Sequence, residues 1–232
     1  MNRKKKNRLD DKGSALVSVL VVTVFISIIA TTMLYVSAQN YQMKYTDYQN
    51  KQSFYGAEKA LDSLKALLVE DVQEAYLAGY QETTKNFLKM SAQQRKEHYQ
   101  EVYLEKLQEI WEGRLTAAGG DPVKMMQDFM TAKGVDPDVA ERIYRVDGYA
   151  VITTSSSGSA TGKQFVINGI RSKYTSGNYT TFLYTDIGLA LPELDLSVEN
   201  SQTFSGSTAD RDLIALTDYV VYMNWRRADY EE

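Results

Sequence analysis

A chain of 232 residues, 44% hydrophobic and 24% charged, has room for one ordinary domain plus an accessory segment and should not be divided further on length. It carries no cysteine and a single histidine, which excludes disulfide frameworks, thiolate metal sites and most histidine-rich metal centres. The net charge of −4 averages two unlike parts: Arg3, Lys4, Lys5, Lys6, Arg8 and Lys12 against Asp10 and Asp11 put +4 ahead of Gly13 and leave −8 to the remainder, a balance that argues against nucleic-acid binding.

Residues 1–13 form the basic leader. The uncharged run that follows, Gly13 to Met43, has an almost wholly apolar centre from Ala15 to Val36, ALVSVLVVTVFISIIATTMLYV. A helix of about 22 such residues is about 33 Å long, close to the roughly 30 Å hydrocarbon core of a bilayer, so residues 14–43 are expected to cross a membrane once. Cations before the span and an acidic remainder after it predict a cytoplasmic N-terminus and a C-terminal domain outside. The run exceeds the roughly 7 to 15 apolar residues of a secretory signal peptide, for which Ser37-Ala38-Gln39 would offer the cleavage point. Thr23, Ser27 and Thr31 fall four apart on one face, placed to bond back to their own helix or across to a neighbour.

Helical periodicity continues through residues 44–143. Tyr41, Tyr45 and Tyr48 share a face, and Phe54, Ala57, Leu61, Leu64 and Leu68 recur at three- and four-residue steps. The pattern predicts one helix from about Ser14 to about Ala78, with Gly56 as the place for a bend, Glu70 as a place for fraying and Gly79 as its stop. A second helix is expected from Glu82 to Ala118, its apolar stripe running from Val102 and Tyr103 through Trp111 to Leu115. Asp121-Pro122 and Asp136-Pro137 each read as an N-cap followed by proline at the first helical position, which predicts short helices over Pro122 to Ala132 and Pro137 to Ile143.

From residue 144 to 232 the texture becomes β-rich. Tyr149 to Thr154, Gln164 to Ile170, Tyr179 to Leu191 and Leu213 to Trp225 are strand candidates. SSSGSATGK connects the first two, and Pro192 with NSQTFSGSTADRD separates the last two. The fold class is therefore α+β: a long N-terminal transmembrane and amphipathic helix, a helical insertion, and an antiparallel C-terminal sheet packed on the helix's amphipathic half.

No constellation for catalysis is visible, so neither an enzyme nor a cofactor is expected. His98 sits on the polar side of the second helix and reads as a surface residue. Neither GxxxxGK[ST] nor GxGxxG occurs. Asp186, Glu193, Asp195 and Glu199 gather oxygen ligands that suit Ca²⁺ or an acid/base pair, without the spacing of a calcium loop, and a solvated acidic surface is the expectation. Of the 17 tyrosines, Tyr35 and Tyr41 fit a membrane interface, while Tyr174, Tyr179 and Tyr184 fit sheet packing better than an adhesive surface.

The leader ending at Gly13, the apolar helix from Ser14, the continuation NKQSFYGAEKALDSL and the late β-region together resemble the type IV pilin-like proteins. Within that family the likeness is greatest to PilX-type minor pilins and K-type pseudopilins of type II secretion, through Gln52, Phe54, Tyr55, Ala57, Glu58 and Leu61. It covers Lys12 to about Lys65. The resemblance implies cleavage by a prepilin peptidase between Gly13 and Ser14, N-methylation of Ser14, and assembly with other pilin subunits and the pilus machinery into a cell-surface filament. Most pilins have phenylalanine after the cut and glutamate five residues in; Ser14 and Ser18 depart from both, which by analogy with K-type members implies a tip or initiating role. The alternatives are a single-pass anchored extracellular binding module that does not polymerise and, third, an anchored carboxylate-dependent hydrolase.

Overall fold

The computed structural model describes residues 9–154, 162–192 and 216–228. Two compact units are present, the first ending at Gln49 and the second starting at Asn50. In the first, helix α1 (Leu9–Lys85, which runs on into the second unit) presents Leu16, Leu20, Phe25, Ile29 and Leu34 to the outside, each more than half exposed. No part of this apolar stretch is buried against the protein.

The second unit is built on the remainder of α1. Ala57, Leu61, Leu64, Leu68, Val72 and Ala75 follow the helical repeat and are at most 1% exposed. Gly79, expected to stop the helix, lies inside it. A Cβ there would meet the Tyr99 ring at 2.8 Å, so the glycine serves close approach to the next helix, and α1 continues to Lys85. A 3₁₀ turn (Phe87–Lys89) follows. Helix α2 (Ala92–Ala117) starts ten residues later than the expected Glu82, where Ser91 and Gln94 form a reciprocal capping box. It returns antiparallel to α1, as the pairs Asp71 with Arg114, Glu74 with Lys106 and Tyr76 with Tyr99 show. The Arg114 guanidinium donates to both Asp71 oxygens at 2.6 Å and covers the Phe129 ring at 3.9 Å.

Asp121 and Asp136 cap helices α3 (Pro122–Ala132) and α4 (Pro137–Ala140) with their side chains, as the Asp-Pro pairs predicted. Helix α4 is shorter than expected because Ile143 enters a strand absent from the sequence reading, β1 (Ile143–Arg145). β2 (Gly148–Thr154), β3 (Gly162–Ser176), β4 (Tyr179–Leu189) and β5 (Val220–Ala228) complete an antiparallel sheet, with β1 and β2 sharing one edge of β3, and β4 and β5 following on the other side. A 3₁₀ turn (Leu216–Tyr219) occupies part of the predicted fourth strand, so β5 starts later. Most of the Ser/Gly connection between β2 and β3 falls outside the described residues. The β3–β4 turn is two residues long, with Gly177 at φ 59° in its first position, the geometry of a II′ hairpin.

The inner face of the sheet carries Phe165, Ile167, Ile170, Leu183, Ile187 and Leu189, which join the α1 stripe, Tyr103, Leu107 and Trp111 of α2 and Met126 and Met130 of α3 in one core. Two irregularities interrupt the ladder at the same level. β3 bulges between Ile167 and Ile170, where Gly169 has φ +65°, and β5 shifts register opposite Asp186, beside Asn224 at φ 54°.

Candidate assembly surfaces

Gly13 and Ser14 lie within α1, whose first turns start at Leu9 and not at Ser14. Ser18 is exposed on it. The hydroxyls of Thr23, Ser27, Thr31 and Thr32 each donate 2.8 Å hydrogen bonds to the carbonyls four residues back, so this polar stripe is satisfied by its own helix. Tyr41, Tyr45, Tyr48 and Tyr55 are all more than half exposed, and the first two stack at 6.5 Å between centroids.

Of the six residues that carry the resemblance, the structure gathers most at the junction of α1 with the sheet. Gln52 accepts from the Ser176 hydroxyl at 2.8 Å beside the β3–β4 turn. Phe54 meets the Trp225 ring edge-on at 6.1 Å. Ala57 and Leu61 are core residues, and the Ala57 carbonyl accepts from Ser172 at 2.7 Å. Glu58 is partly buried; burial, and secondarily the charge of Asp62, holds its carboxyl above the usual range. Tyr55 points outward.

The intervening Gly56 was not expected to matter as a contact, yet it receives the Tyr174 ring so closely that a Cβ would lie 2.0 Å from it. Arg142 covers the same ring at 4.1 Å and donates to the Gly56 carbonyl at 2.7 Å. Ser53 bonds to Thr181 at 2.7 Å one turn earlier. The glycine-alanine pair before Glu58 was the available sequence signal for this close helix–sheet approach.

His98 is half-buried on α2 and not a surface residue, with Nε2 enclosed and unbonded. Asp186 is 7% exposed and accepts from the Gly169 amide and the Asn224 side chain at 2.7 Å and from the Tyr184 hydroxyl at 3.4 Å. It is thus a clasp between the two bulges, with its oxygens committed to donors. Glu193, Asp195 and Glu199 lie outside the described residues. Among the described residues no three histidines or carboxylates converge in a way that could hold a metal ion.

A second surface went unrecognised because net charge hides it. On the outer sheet face, Arg171 and Tyr184 pair across β3 and β4, as do Lys173 and Phe182, and Tyr184 pairs with Arg226 of β5. The Arg171 and Arg226 guanidinium groups lie 5.4 and 4.7 Å from the Tyr184 ring, and Lys173 lies 5.4 Å from that of Tyr144. The alternation Arg171, Ser172, Lys173, Tyr174 already holds this division of faces. Compared with known protein families, curated proteins and solved structures, the chain matches none.

Proposed function

We propose that this chain is a minor pilin or pseudopilin, a non-enzymatic subunit of a type IV pilus-like filament, held in the membrane by the apolar part of α1 before assembly. One observation carries the reading: an exposed apolar stretch of bilayer length belongs to the same helix whose continuation forms the spine of an α+β domain. That arrangement suits a helix that packs laterally among like helices while the domain faces outward. Exposed Tyr41, Tyr45 and Tyr48 beyond the apolar run suit the same lateral packing.

In this reading a prepilin peptidase cuts after Gly13 on the cytoplasmic side, and the +4 leader that pins the N-terminus is removed. Ser18 cannot supply the carboxylate that in pilins generally pairs with a neighbouring subunit's amino group, which favours a tip or initiating position over the shaft. The mass of the N-terminal peptide from native membranes tests the proposal. A peptide starting at N-methylated Ser14 is expected; an unprocessed Met1 start would leave the anchored binding module as the better account, and cleavage near Ala38 would overturn both.

A further inference from the structure

We propose that the turn joining α1 to α2 in one copy of this chain docks in the recess between α1 and β5 of a second copy, leucine on aromatic rings and lysine on carboxylate. The contact rests on the reading of the chain as an assembling subunit, and it is made by the domains and not by the apolar helix.

The turn is built as a fixed knob. Arg95, only 6% exposed, donates from Nε to the carbonyls of Phe87 and Met90 at 3.0 and 3.1 Å, and its guanidinium covers the Phe87 ring at 3.7 Å. Leu88, between those two anchored residues, is held out at 96% exposure. From Thr83 to Lys96 the sequence holds Lys85, Lys89, Arg95 and Lys96 and no acidic residue, in a chain that is otherwise acidic beyond its leader. Lys85 pairs with Glu82 at 2.7 Å. Lys89 and Lys96 are exposed, and among the described residues no carboxylate pairs with either.

The recess has the opposite chemistry. Phe54 meets the rings of Tyr55 and Trp225 edge-on at 5.6 and 6.1 Å, and those two rings stay 63% and 44% exposed. Glu58 follows one turn along α1 from Phe54, and after it Asp62, which accepts from the Tyr222 hydroxyl at 2.8 Å. The neighbouring cations are engaged elsewhere: Lys65 lies over the Tyr222 ring at 4.9 Å, and Arg227 donates to Asn50 at 2.7 Å. Burial first and the charge of Asp62 second raise the Glu58 carboxyl, with no cation acting in the other direction. A lysine arriving from outside therefore meets an uncompensated carboxylate beside open aromatic rings, and a leucine beside it covers those rings.

Glu58 and Lys85 lie about 40 Å apart along unbroken α1, so no copy can bring its own turn to its own recess. The contact is heterologous and can repeat from subunit to subunit. Because the knob is fixed before docking, little chain entropy is lost when Leu88 seats against Trp225.

Full-length protein in detergent micelles, mixed from unlabelled and isotopically labelled preparations, is coupled with carbodiimide and digested. The expected product joins Lys89 or Lys96 to Glu58 or Asp62, with one labelled and one unlabelled partner. Leu88→Ser, at a side chain that touches almost nothing in its own chain, lowers the yield about tenfold at subsaturating concentration and leaves the melting temperature unchanged. Lys89→Glu/Lys96→Glu abolishes the product, and mixing that variant with a Glu58→Lys/Asp62→Lys chain restores it with the coupled ends exchanged, which separates a charge contact from misfolding. Equal yield from Leu88→Ser, coupling of Lys89 and Lys96 only to other carboxylates, or products confined within one chain would overturn the contact. The N-terminal mass is independent of this result: an intact Met1 beside the expected coupling would refute the pilin reading and keep the domain contact.

Discussion

Asp186 shows how much one side chain can organise. Its carboxylate gathers a backbone amide from the β3 bulge, a side-chain amide from β5 and a hydroxyl from its own strand, so two irregular strands are fixed at one point. Removing it strands the Gly169 amide in a buried site and frees Asn224 from the constraint that holds it at positive φ. Asp186→Ala is expected to cost about 1–3 kcal/mol, read as a fall in the denaturation midpoint, with Asp186→Asn recovering part of the loss. An unchanged midpoint would mean that the bulges are held by the neighbouring strands alone. From sequence, Asp186 stood in an acidic group open to a metal or acid/base reading, because a carboxylate that satisfies backbone donors looks the same as one that binds an ion until the bulges are seen.

At the scale of elements, two tyrosines tie α2 to the end of β4. Tyr99 donates to the Pro192 carbonyl at 3.1 Å and Tyr103 to that of Ala190 at 2.9 Å. Burial first, then the neighbouring tyrosines around Tyr99 and Asp71 near Tyr103, pushes both hydroxyls above the usual tyrosine range. A phenolate could not donate to a carbonyl, so folding favours the protonated form. Their contribution is fully present below about pH 10, where unfolded tyrosine titrates, and is lost as pH rises through the folded values. The melting temperature is therefore expected to fall steeply above about pH 10, and less steeply in a Tyr99→Phe/Tyr103→Phe variant whose starting stability is lower. Parallel slopes would place the alkaline sensitivity elsewhere. The Asp-Pro helix starts were legible because capping is local chemistry, and the buried stripe of α1 because its period is strict. Gly79 misled for a physical reason: a glycine that ends a helix and one that admits a neighbour's ring carry the same letter. β1 escaped notice because three residues are too few to show a period.

For the whole molecule, the order of parts was plain in the sequence: a bilayer-length apolar helix, helical segments, then antiparallel strands. The outer sheet face was not, since its cations, Arg171 and Lys173 on β3 and Arg226 on β5, cancel in the total charge. On the proposed pilin reading, the subunit's place in a filament turns on Ser18, which is exposed on α1 and lacks a charge. If its serine keeps the subunit out of the shaft, Ser18→Glu raises incorporation along filaments counted by immunogold labelling; equal counts in variant and parent would remove that argument. The two-residue turn at Gly177 has a further consequence, in time and not in space. A hairpin closed so tightly forms within about 1–10 μs, so β3 and β4 can pair as soon as both are free of the ribosome or translocation channel. β5 arrives only after a much longer stretch of chain, at a larger loop-closure cost. Until it docks, the backbone of Phe182 to Leu189 stands as an open edge beside a newly formed hairpin, and any second nascent copy within reach can pair with it. Crowded synthesis is thus a condition that exposes this domain to misassembly.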